Sequence, residues 1–242
     1  MLIKNIRYEN FKHKRKDFHQ KKLINFLNLK NLINKYPFLD SLTNNYNYSV
    51  KKKNLIKLKK YSEYNIIGMG GSILGTQAIY DFLEHKIKKK FTFLNNLQNL
   101  KKTKLNKKKL NIIISKSGNT LETISNLNFI LNKQKKNENL IITENKNNIL
   151  RLIASKLKSD LIDHKNYIGG RYSVLSEVGM VPAQLMGLNE KKFKQLNYLI
   201  KNKAFVNFLI QNVSSIHSNI IQGKKNSVLL NYDNKLDNFL KW

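Results

Sequence analysis

The chain has 242 residues, enough for one or two domains with a sizeable core, and its lack of cysteine excludes disulfides and thiolate metal sites. No run approaches the roughly 20 apolar residues of a membrane span, and Met1-Leu2-Ile3-Lys4 passes into polar and charged residues with no signal-peptide core, so a cytoplasmic protein without a membrane partner is expected. The formal net charge of +30 is spread as lysine runs such as Lys51-Lys52-Lys53 and Lys88-Lys89-Lys90 beside many Asn, with Arg only at Arg7, Arg15, Arg151 and Arg171; groove readers favour arginine, so the charge reads as nucleotide-composition bias and not as specific nucleic-acid binding.

In chain order, the apolar residues Phe18, Leu23, Phe26, Leu27, Leu29, Leu32 and Ile33 have helical spacing and stop before Pro37. His13 and His19 lie in a basic polar segment and read as solvated. From Tyr64 the pattern alternates: strand 64–68, helix 72–86, a short strand near 91–94, strand 110–115, helix 120–134, strand 139–143, helix 147–157 and strand 160–163. The Lys-rich stretch 101–109 reads as a solvated loop. Such β-α-β-α order predicts an α/β protein of three layers, with a parallel sheet between two layers of helices and ligands at the carboxyl ends of its strands. A helical stretch over roughly 189–222 and one further strand at Ser227-Val228-Leu229-Leu230 are expected beyond Gly187.

Two strand ends share one grammar. The first is I-I-G-M-G-G-S-I-L-G at 66–75, in which Gly70, Gly71 and Ser72 form a tight turn before a helix. Glycines there let backbone N–H groups approach an anion, although the same turn also serves packing alone. The second is L-N-I-I-I at 110–114 followed by Ser115-Lys116-Ser117-Gly118-Asn119-Thr120. Three hydroxyls and an ammonium on a helix N-terminus suit a phosphate monoester, with simple helix capping as the plainer alternative. Asn119 and Glu122 have capping-pair spacing, so Glu122 reads as structural. A third segment, Gly169-Gly170-Arg171-Tyr172-Ser173-Val174-Leu175-Ser176, sets an arginine after a glycine pair and before a helix.

The motifs G-M-G-G-S-I-L-G, S-K-S-G-N-T-L-E-T and G-G-R-Y-S-V-L-S-E-V-G-M, in this order and spacing, resemble the glucose-6-phosphate isomerase family, whose sugar-isomerase (SIS) domains bind phosphosugars. The resemblance covers roughly residues 60–242. It implies reversible aldose–ketose isomerisation of glucose 6-phosphate to fructose 6-phosphate through an enediolate, with no metal or organic cofactor and a homodimeric assembly. By resemblance, Ser115, Lys116, Ser117 and Thr120 hold the phosphate, Gly70, Gly71 and Ser72 contact the sugar, and Arg171 stabilises the enediolate. The alternative for Arg171 is a structural ion pair with Glu177 or Asp163.

The resemblance also implies a division into a helical extension (1–60), a first SIS domain (61–187), a helical connection (188–225) and the start of a second SIS domain (226–242). The family's catalytic glutamate, active-site histidine and C-terminal lysine match no residue of this sequence. Glu144 and Glu177 read as solvated or capping carboxylates, and His85, His164 and His217 match no ring-opening histidine. The expectation is a phosphosugar site without its proton-transfer base, inactive by itself, with apolar surface exposed around Val228, Leu229, Leu230, Phe239 and Trp242. A non-catalytic phosphosugar-binding protein and a basic interaction module are the competing readings.

Overall fold

The computed structural model describes residues 34–97, 109–133, 138–194 and 202–242. The helix expected before Pro37 falls outside them over most of its length, as do His13, His19 and residues 101–108. Two compact units are present, one formed by Asp40–Glu190 with Asn231–Trp242 and the other by Met1–Leu39 with Lys191–Leu230.

The first unit is built on five parallel strands, β1 (Glu63–Gly68), β2 (Lys90–Leu94), β3 (Leu110–Ile114), β4 (Glu138–Glu144) and β5 (Asp160–His164), in the order β2-β1-β3-β4-β5. Every residue of β3 is buried, which is why L-N-I-I-I is apolar without alternation: a strand between two helical layers has no solvent face. On one face Ile66, Ile112, Leu140, Ile142 and Ile162 pack with α1 (Lys52–Leu58) and α5 (Glu177–Leu185), and Leu74 and Ile79 of α2 (Leu74–Leu83) join them. On the other face Ile67, Ile113 and Ile141 meet Leu127 and Ile130 of α3 (Leu121–Lys133) and Leu150 and Ala154 of α4 (Ile149–Leu157). The expected three-layer α/β fold is therefore the one observed.

Register is fixed by a polar ladder within this second face. Asn65 donates to the Asn111 amide oxygen at 2.8 Å, and Asn111 donates to that of Asn139 at 2.9 Å. These three residues are register partners in β1, β3 and β4, so a slip of one residue would strand buried amides as well as turn the isoleucines outward.

The central helix α5 is buried along almost its whole length although it contains Pro182. Proline cannot donate to the carbonyl four residues back, and that carbonyl, of Val178, accepts instead from the Thr76 hydroxyl of α2 at 3.2 Å. The break in the helical ladder is thus converted into a joint between two helices. A short C-terminal helix, Asp237–Lys241, packs on α2 within the same unit, where Asn238 donates to Asp81 at 2.5 Å.

Three local expectations change. Lys109, expected in a solvated loop, is buried in an ion pair 3.1 Å from Glu63, because it immediately precedes the interior strand β3. Residues 227–230 form no strand; Val228, Leu229 and Leu230 are exposed, and with no neighbouring strand among the described residues the segment has no ladder to join. Trp242, expected to be exposed, is half-buried and donates its indole N–H to the Arg171 carbonyl at 3.0 Å, whereas Phe239 is exposed as expected. In the second unit, the described helix Lys203–Ile221 carries the expected helical pattern.

Candidate functional site

In a sheet of order 2-1-3-4-5 the crossovers leave β1 and β3 in opposite directions, which opens a crevice at their carboxyl ends. Gly68, the last residue of β1, is the register partner of Ile114, the last of β3. The Gly70–Ser72 turn and the Ser115–Thr120 loop therefore begin side by side.

At the end of β1, Gly70–Ser72 form a single 3-10 turn closed by Ile73 N–H on the Gly70 carbonyl at 3.1 Å. A second such turn, Gly170–Tyr172, is packed directly against it. A Cβ on Gly71 would stand 2.3 Å from the Gly170 carbonyl carbon and 2.5 Å from the Arg171 nitrogen. Only glycine allows the two backbones to approach this closely, and the approach is what carries Arg171 to the crevice. Arg171 is exposed, and its guanidinium makes no ion pair among the described residues. The two carboxylates weighed against a ligand role are otherwise engaged: Asp163 pairs with Arg151, and buried Glu177 accepts from the Tyr46 hydroxyl and the Ser49 N–H, each at 2.8 Å. Burial, followed by the Glu177 charge, pushes the Tyr46 phenol far above its ordinary range.

At the end of β3 the hydroxyls converge. Ser115 and Thr120 lie 2.8 Å apart and Ser117 and Thr120 3.5 Å apart, while the Ser115 and Ser117 oxygens accept from the N–H groups of Gly118 and Asn119. This knot sits at the N-terminus of the 13-residue α3, whose first-turn N–H groups have no helical acceptor and whose dipole favours an anion. Gly118 has φ +68°, and a Cβ there would lie 2.2 Å from the Asn148 side chain. Asn148 is the N-cap of α4, accepting from Arg151 N–H at 2.9 Å and donating to Lys146 O at 3.0 Å. Asn119 does not cap its own helix with Glu122; it accepts from Ile149 N–H at 3.0 Å and so caps the neighbouring α4.

Lys116 takes a different direction from the hydroxyls. Its ammonium donates to the Asn166 carbonyl at 2.6 Å and stands 3.3 Å from Glu144, which is also 3.2 Å from Lys146. Burial by itself would raise the Glu144 carboxyl, but hydrogen bonds and charge from Lys146 and Lys116 hold it below its ordinary value. Nearby, His164 at the end of β5 is 3% exposed, with Nδ1 2.9 Å from the Lys165 carbonyl and Nε2 without a partner among the described residues. Burial lowers its pKa, leaving a neutral imidazole protonated on Nδ1. Glu144, Lys146, His164 and Asn166 line a cleft of about 240 Å³. Sequence reasoning set none of these side chains beside Lys116; its one available signal was their position at the ends of adjacent strands.

The fold agrees with comparisons to known proteins. The phosphoglucose isomerase family profile matches residues 55–241. A glucose-6-phosphate isomerase of Methanocaldococcus jannaschii is 32% identical over 78% of this chain and 51% of its own length. One from Borreliella afzelii is 31% identical over 75% of this chain and 39% of its own. A solved hypothetical protein of Thermus thermophilus superposes with a TM-score of 0.60 at 19% identity, over 83% of this chain and 51% of its own, a likeness of fold. The chain thus spans about half or less of the length of these curated relatives, and with the family profile matching most of its residues it belongs to the phosphoglucose isomerase family.

Proposed function

We propose that these residues hold a phosphorylated hexose as the binding half of a glucose-6-phosphate isomerase site. The Ser115, Ser117 and Thr120 hydroxyls, the backbone N–H groups of the Ser115–Thr120 loop and the N-terminus of α3 take the phosphate. The Gly70-Gly71-Ser72 turn faces the sugar, and Arg171 stabilises the oxygen that becomes negative when a proton leaves C2. The observation that carries this reading is the backbone contact between Gly71 and Gly170–Arg171, which ties the segment holding Arg171, whose guanidinium makes no ion pair among the described residues, to the turn that follows β1, the strand next to β3.

Isomerisation moves a proton between C2 and C1 and requires a positioned base, ordinarily worth about 10²–10⁴-fold. Glu144, Asp163 and Glu177 are each committed to partners within the fold. We therefore expect residues 1–242 to bind substrate without turning it over, the base coming from polypeptide beyond these residues. That commitment of carboxylates equally supports a non-catalytic phosphosugar-binding protein. Calorimetry with glucose 6-phosphate and a coupled isomerase assay test the proposal, first on the chain alone and then with the remaining portion of a relative added. Binding alone, with turnover on complementation, is the expected result. Absence of binding would remove the phosphate cradle, turnover by the chain alone would remove the missing base, and binding without complementation would favour the non-catalytic protein.

A further inference from the structure

The Lys116 side chain is the one cradle residue whose geometry departs from its neighbours. Ser115, Ser117 and Thr120 turn their hydroxyls toward one another, while the intervening lysine directs its ammonium to the loops after β4 and β5. Its backbone is held there as well, because the Lys116 carbonyl accepts from Glu144 N–H at 3.1 Å and from the Thr143 hydroxyl at 3.3 Å. The ammonium then bridges the Glu144 carboxylate at 3.3 Å and the Asn166 carbonyl at 2.6 Å. Glu144 is nearly buried, and Lys146 satisfies its other oxygen, so this is a three-way junction of the ends of β3, β4 and β5.

We propose that Lys116 and Glu144 are positioning residues: a strut that locates the segment leading to Arg171 relative to the phosphate cradle, with the ammonium acting on Asn166 and not on the phosphate. The idea rests on the phosphosugar reading above. From Asn166 the chain has five residues to Arg171. Along that path Ile168 is fully buried, Gly170 abuts Gly71, and the Arg171 carbonyl receives Trp242. The far end of the segment is thus fixed by backbone packing, and its near end by Lys116. Loosening the near end removes one of the two anchors of the segment that carries Arg171 without disturbing the hydroxyl knot, since none of the Ser115, Ser117 or Thr120 bonds uses Lys116 Nζ or the Glu144 carboxylate.

The two roles for Lys116 differ in sign at Glu144. If the ammonium bound phosphate, Glu144→Gln would release it and tighten phosphate, whereas Lys116→Met would weaken phosphate. If it is a strut, both substitutions act in the same direction, and on the sugar instead of the phosphate. The experiment measures binding of inorganic phosphate and of glucose 6-phosphate to the 242-residue chain by calorimetry, with amide hydrogen exchange over residues 165–172 of the ligand-free protein. We expect Lys116→Met and Glu144→Gln each to leave inorganic phosphate within about twofold, to weaken glucose 6-phosphate about tenfold, and to speed exchange over 165–172. The double variant should add little to either single one. Lys116→Arg, which can still reach a carboxylate and a carbonyl, should recover wild-type behaviour. Tighter phosphate in Glu144→Gln with weaker phosphate in Lys116→Met overturns the strut, as does unchanged exchange in both variants. Should the wild type bind neither ligand, the phosphosugar reading fails, and the exchange measurement still decides the strut. If Lys116→Met does not fold, Glu144→Gln decides alone through the sign of its phosphate affinity.

Discussion

The ends of β1 and β3 are written in the same grammar, an apolar strand, a turn of small residues and a helix, yet they are built by opposite means. At β1 the turn is held by backbone packing: Gly71 lies against Gly170 and Arg171, and no charge takes part. At β3 the turn is held by side chains, with hydroxyls bonded to one another and to N–H groups, and with a lysine braced on a carboxylate. The contrast teaches that the first turn is a joint that delivers a residue from elsewhere, whereas the second is itself a cradle. A glycine in the one is indispensable for shape, and a hydroxyl in the other, on the proposed reading, for ligand.

The sharpest way to break this comparison is Gly71→Ala. Its Cβ would collide with backbone atoms of Gly170 and Arg171 at 2.3–2.6 Å, with no flexible side chain to yield, so we expect a loss of about 3 kcal/mol or more in urea unfolding. A loss below about 1 kcal/mol would mean that the two turns do not touch in solution. Next in size, Thr120→Val removes the hydroxyl that joins Ser115 and Ser117. Phosphosugar affinity should fall by about 1–3 kcal/mol with little change in stability, and equal calorimetric affinity in wild type and variant would dissolve the cradle. Gly70→Ala is the milder control for the first. Its φ of +55° costs a side chain about 1 kcal/mol, but a Cβ there meets nothing within 4 Å. A melt in which Gly70→Ala is worse than Gly71→Ala would reverse the assignment of the joint.

Much of this was legible in the sequence, for physical reasons. Parallel strands covered on both faces must be apolar at consecutive positions, so N-I-I-G and L-N-I-I-I declare themselves, and glycine or hydroxyl residues at their ends mark where the chain turns. What depended on partners distant in sequence was not legible. Asn119 has the spacing of a cap for its own helix and instead caps α4. Lys109 ends a lysine run and is buried on Glu63. Ser227–Leu230 has strand composition but, among the described residues, no strand beside it. Arg171 could equally have paired with Asp163 or Glu177, and only the folded chain shows those carboxylates bonded to Arg151, Tyr46 and Ser49. Local preference writes the elements, whereas the closure of the site depends on contacts that span 50 to 131 residues, as with Lys116 to Asn166 and Tyr46 to Glu177.

The smallest expected effect separates the two strand ends by charge. Burial would raise the Glu144 carboxyl, but Lys146 and Lys116 outweigh it and bring the folded value below the ordinary 4.5; Asp163, Lys165 and the buried His164, whose pKa burial lowers, line the same cleft and are common to wild type and variant. A carboxyl whose folded value is depressed contributes stability above its unfolded value and loses it as pH falls through the folded value. The stability difference between wild type and Glu144→Gln should therefore be complete above pH 4.5 and shrink below it, while the deficit of Gly71→Ala, whose colliding atoms carry no titrating proton, stays constant over the same range. Urea titrations of the three proteins at successive pH values would read this directly. A Glu144→Gln difference that grows on acidification would show that the carboxyl is held in its protonated form, in which case Lys116 could not be braced on it.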